Sequence, residues 1–82
     1  MPHVLLAEWV PVPDRDAALA RWREVRSVVR ARGANFWVFE SPAQAGRALE
    51  FIEARDAETL RLVCEDIGAA PPSDILTEVE LS

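Results

Sequence analysis

The chain has 82 residues, 14 of them acidic and 9 basic, for a net charge of −5. That balance argues against a binder of phosphate backbones, where a basic surface is expected, and against docking on an anionic membrane. Half of the residues are apolar, ample for one domain over 1–82, yet a chain this short buries only about 60–65% of its unfolded surface and is marginal alone.

The first element, His3-Val-Leu-Leu-Ala-Glu-Trp-Val10, reads as a strand apolar on both faces. A strand with one wet face should alternate. Here Leu5, Ala7 and Trp9 lie on one side and Val4, Leu6 and Val10 on the other. Pro11-Val-Pro13 ends it, since proline cannot donate to a ladder. Asp14 is placed as an N-cap. Ala18, Trp22, Val25 and Val29 then recur at helical spacing, flanked by Leu19 and Val28, and Gly33 closes the helix. The spacing predicts a helix over about residues 14–32.

Asn35 to Glu40 is rich in aromatic and β-branched residues and reads as a second strand. After the turn Ser41–Gly46, Arg47 to Arg55 completes a hairpin. Phe36 and Val38 oppose Asn35, Trp37 and Phe39. Leu49 and Phe51 oppose Ala48, Glu50, Ile52 and Ala54. The sequence does not say which set faces inward. Asp56 caps a second helix whose stripe is Leu60, Val63, Cys64 and Ile67, closed by Gly68. Ala69 to Ser73 is a loop. A last strand runs over 75–81, with Ile75, Val79 and Leu81 inward and Glu78 and Glu80 outward.

The order strand, helix, strand, strand, helix, strand predicts a ferredoxin-like α+β plait. Right-handed crossovers put both helices on one face of an antiparallel sheet of order 4-1-3-2. Two helices cover one face only. Large apolar side chains remain on the other, each worth about 1.5–3 kcal/mol when fully buried. A second copy of the chain, sheet against sheet, is the expected cover, with higher oligomers also open.

These residues resemble a known family. "VLLAEWVPVPDRDAALARWREV" and "SPAQAGRALEFIEARDAETL" are similar to the small dimeric α+β barrel superfamily, and within it to antibiotic biosynthesis monooxygenase-like proteins. The marks are Ala7-Glu8-Trp9, the proline loop with its capping Asp14, the Trp22-centred helix, Gly46-Arg47 and Asp56. The resemblance implies a homodimeric barrel with a pocket between sheet and helices. Members include cofactor-independent oxygenases, haem-degrading enzymes and isomerases. Two marks depart from that pattern: Ala54-Arg55-Asp56 stands where Trp-x-Asp is common, and the second helix has no histidine.

Asn35 and Trp37 share a strand face. By resemblance to the oxygenases they could bind and polarise a phenol, the amide on an oxyanion and the indole on a ring. Against that, Asn is common after a helix cap and Trp37 makes good core. Glu8 is the polar residue of an apolar strand. It is a candidate base, or the partner of Arg47 or Arg55 across the sheet or the dimer. Glu50 and Glu53 point to opposite faces, so at most one can approach it.

Trp9, Trp22, Trp37, Phe39 and Phe51 are candidate aromatic ligand contacts. His3, the one histidine, reads as solvated, and Cys64 as core packing. A lone cysteine makes no intrachain disulfide and fits a reducing, cytoplasmic setting. No signal peptide, membrane span, metal motif or cofactor motif is read. Arg15, Arg23, Arg26 and Arg30 occupy one flank of the first helix, which could bind an anionic ligand or partner; pairing with Glu58, Glu65 or a neighbouring subunit is the default. Three functional classes follow. The first is a binder of an apolar or aromatic small molecule. The second is a cofactor-independent monooxygenase or isomerase, and the third is a structural module without ligand.

Overall fold

A computed structural model describes residues 3–72 and 74–81; Ser73, the end of the expected loop, lies outside them. The elements in order are β1 (Val4–Pro11), α1 (Arg15–Ala31), β2 (Asn35–Phe39), β3 (Arg47–Ala54), α2 (Ala57–Asp66) and β4 (Leu76–Thr77). A single 3₁₀ turn, Pro42–Gln44, sits in the β2–β3 hairpin. The four strands form one antiparallel sheet in the order β2-β3-β1-β4. Read from the other edge this is 4-1-3-2, the ferredoxin-like plait expected from the sequence.

Both helices start and stop where their local chemistry demands. Asp14 accepts from the Ala17 N–H at 3.1 Å, and Asp56 from the Thr59 N–H at 2.7 Å. Each satisfies an amide that has no partner inside the helix. Gly33 and Gly68 follow the C-caps with φ of 75° and 71°, a conformation that a side chain disfavours. The predicted stripes are the buried ones. Val25 and Val29 of α1 meet Leu60 and Val63 of α2 over Val4, Phe36, Ile52 and Ala54 of the sheet.

That core settles the hairpin. Phe36 and Val38, with Ala48, Glu50, Ile52 and Ala54, turn toward the helices beside Val4, Leu6 and Glu8 of β1. Asn35, Trp37 and Phe39 take the other face with Leu49, Phe51, Leu5, Ala7 and Trp9.

The last strand is shorter than the alternation predicts. Val4 pairs with Thr77, and the Glu78 N–H donates to the His3 carbonyl at 2.8 Å. Beyond that point the ladder has run past the start of β1. Val79 and Leu81, expected inward, are 75% and 94% exposed. Ile75 alone of that set packs on the core.

Two surface carboxylates tie the helix ends to pH. The Thr59 N–H, helped by Arg55, holds the Asp56 carboxyl below its ordinary value. The Asp66 carboxyl is likewise lowered by Arg32, whose Nε–H donates to it at 2.6 Å. A carboxyl that titrates lower when folded adds stability above its unfolded value, near 3.9, and loses it as pH falls through the folded value. Urea unfolding across about pH 2 to 6 is expected to show this acid-side loss. An Asp56→Ala, Asp66→Asn variant should flatten it; an unchanged slope would exclude these two residues as the cause.

Candidate functional site in the sheet–helix cleft

Between the sheet and the helices a cleft of about 430 Å³ opens beside the core. Leu6 and Val10 of β1, Ile52 of β3 and Ile67 after α2 give it apolar walls, and Trp22 of α1 closes one side. Its carboxylates are Glu8 and Glu50 from adjacent strands and the capping Asp14. Glu8 and Glu50 face each other directly across the β1–β3 ladder, on the helix side. Side chains so paired stand about 4.5–5.5 Å apart at Cβ. The half-buried Glu50 accepts the Trp22 indole Nε1–H at 2.7 Å, while Glu8 stays exposed at the mouth.

This arrangement follows from the sequence locally. Trp22 sits on the apolar stripe of α1, so its ring must lie on the sheet. An indole N–H removed from water needs an acceptor, and Glu50 supplies it. Arg21 also lines the cleft and is its one basic group. Cys64 forms part of the wall at 1% exposure. Burial raises its thiol pKa, and the charge of Glu8 adds to the effect. A thiol held neutral this way is a poor nucleophile, in keeping with its reading as packing.

The candidate residues divide between two faces. Glu8 and Trp22 belong to the cleft. Asn35 and Trp37 do not: the register puts Asn35 beside Glu53 and Trp37 beside Phe51, on the face away from the helices. A single centre uniting Asn35, Trp37 and Glu8 is therefore ruled out within one chain, because the sheet stands between them. Asn35 is also engaged, its Nδ2–H donating to Glu53 at 3.2 Å. Trp9, Phe39 and Phe51 lie on that outer face too. Phe39 and Phe51 meet edge to face at 5.3 Å, and the Arg47 guanidinium lies 5.8 Å from the Trp9 ring.

Two expected pairings are corrected. Glu8 is not bonded to Arg47 or Arg55. Arg47 stands opposite Pro11 on the outer face, and Arg55 reaches Asp56 at 3.6 Å. Glu58 and Glu65 do not serve the α1 arginines, since both are taken by Arg61 on their own helix. Arg15 pairs with Glu40 instead, at 2.8 Å. His3 is less isolated than its terminal position implies, with Nδ1 3.8 Å from Glu53.

No family model matches this sequence, and no curated protein or solved structure matches it. The site therefore rests on its own geometry. Among the described residues no cluster of three His, Cys, Asp or Glu side chains is grouped to hold a metal ion. No described helix is long and apolar enough to cross a membrane.

Glu50 is the cleft carboxylate that the sequence alone does not single out. Its position was visible as one of two carboxylates of β3. Its role needed the β1–β3 register, which places it opposite Glu8 and under Trp22.

Proposed function

We propose that this protein is a homodimeric α+β barrel that binds an apolar or aromatic small molecule in the sheet–helix cleft. One observation carries the reading: an apolar-walled cleft of about 430 Å³, flanked by the Trp22 indole and edged by the carboxylates of Glu8, Asp14 and Glu50. That volume lies within the range of small-molecule sites, roughly 300–1,000 Å³, which are mostly apolar with a few polar groups to fix orientation. The resemblance of the strands to the dimeric barrel proteins supports the same place for a ligand. The uncovered aromatic face of the sheet supports the dimer.

Trp22 makes the reading testable. A Trp9→Phe, Trp37→Phe variant leaves it as the sole indole. Titration with simple phenols and quinones is expected to quench its fluorescence saturably. Ala17 is exposed and lines the cleft, so Ala17→Trp should plug it at little cost to folding and abolish ligand binding, followed by calorimetry. Failure of every compound to saturate below about 1 mM, a binding energy near −4 kcal/mol, would sink the proposal.

The carboxylate pair supports a second reading, a cofactor-independent monooxygenase or isomerase in which Glu8 takes a proton from the bound molecule. Oxygen uptake, or exchange of a ligand C–H with deuterated solvent, separates the two. Either signal must be lost in Glu8→Gln while binding is kept. Binding with neither signal leaves a binding protein.

A further inference from the structure

A second concavity, separate from the cleft, runs between α1 and the edge strand β2, with a volume of about 320 Å³. Its floor is apolar, made by Leu19, Phe36 and Val38, with Trp22 on one side and Trp37 of the edge strand, whose ring belongs to the outer face, at its border. Along its rim stand Arg23, Arg26 and Arg30. Spacings of three and four residues bring the three to one side of the helix. None of their guanidinium groups has an ion-pair partner among the described residues. Arg15, Arg32 and Arg55 each have one and Arg61 has two, while Arg21 and Arg47 also have none among the described residues. No carboxylate lines this groove among the described residues. A chain of net charge −5 has thus gathered three cations around an aromatic hollow and left them without counter-charge.

Adjacent like charges on a helix repel and cost stability. Arginine is also the residue suited to this task. Its planar fork binds carboxylate, sulfonate or phosphate oxygens in pairs and stacks on aromatic faces. We propose that the α1–β2 groove is a binding site for a small amphipathic anion, its head group held by Arg23, Arg26 and Arg30 and its apolar body lying against Leu19, Phe36 and Trp22. The groove matches its occupant in charge and polarity: cationic at the rim, apolar at the floor. It does not depend on the cleft being a site, since the two share only Trp22.

Naphthalene-2-sulfonate is the probe, with 2-naphthalenemethanol as its neutral counterpart. In nitrogen–proton spectra the Trp37 indole N–H, which lies away from the cleft, should shift with the sulfonate and hardly move with the alcohol. Arg23→Gln, Arg26→Gln, Arg30→Gln replaces three exposed side chains, so the fold should be kept, as circular dichroism can verify. Affinity for the sulfonate is expected to fall about tenfold or more in this variant, the head group losing its charged hydrogen bonds. Salt near 1 M, where the Debye length is about 3 Å, should weaken the wild type in the same direction. Equal affinity of variant and wild type overturns the proposal, as does a response at Trp9 instead of Trp37. A glutamate-rich peptide that displaces the sulfonate at equal charge concentration would assign the groove to an acidic partner chain and overturn the small-ligand reading.

Discussion

Light scattering on the eluting protein is expected to return close to twice the chain mass of 9.1 kDa, and Trp37→Asp or Phe39→Asp is expected to halve it. The reason lies in the rows of the outer face. Ala7, Phe51 and Trp37 stand side by side across three strands, and Trp9, Leu49 and Phe39 form the next row. Trp37 is 45% exposed, Phe39 55% and Leu76 47% in the single chain. A two-fold contact buries each of these side chains twice. Full burial is worth about 1.5–3 kcal/mol per side chain and about half of each is already buried in the single chain, so one substitution, counted twice, removes about 1.5–3 kcal/mol, roughly tenfold to a hundredfold in the dissociation constant. The introduced carboxylate adds a desolvation cost in the same direction. Because both aromatics are exposed in the isolated chain, the variants should keep their helical circular dichroism as monomers. A wild type that elutes as a monomer at micromolar concentration removes the barrel from the proposed function.

The two-sided strands were legible in the sequence, but the assignment of their sides was not. Phe36 and Val38 are as apolar as Trp37 and Phe39, so periodicity alone cannot rank them. What decides is the packing of the helices. Val29 and Leu60 are fully buried, and the sheet residues they cover include the small Ala54, which lets a helix approach closely. The helix stripes, the aspartate caps and the glycine stops were legible because each is a local rule within a few residues. The Glu8–Glu50 pair was not, since it joins residues 42 positions apart through a register that only the folded sheet fixes. The early end of β4 has the same origin. Alternation over 75–81 describes a willing strand, and whether it pairs depends on what lies alongside.

A double-mutant cycle on Trp22 and Glu50 is expected to return a coupling of about 1.5–3 kcal/mol, the size of a hydrogen bond to a charged group. Trp22→Phe keeps most of the ring against the sheet but removes the Nε1–H that meets Glu50 at 2.7 Å. It leaves a half-buried carboxylate facing Glu8 with no donor from the helix. Glu50→Ala removes the acceptor and should cost less, because the repulsion with Glu8 is relieved. Chemical unfolding of the four proteins gives the cycle. The outcome also assigns work within the cleft. With strong coupling, Glu50 is committed to positioning the indole, and Glu8 is the carboxylate left to meet a ligand. Ligand affinity should then respond to Glu8→Gln directly and to Glu50→Ala through the set of the Trp22 ring. With no coupling, the indole is held by packing alone and both carboxylates are free. That result would favour proton transfer by the pair over simple binding.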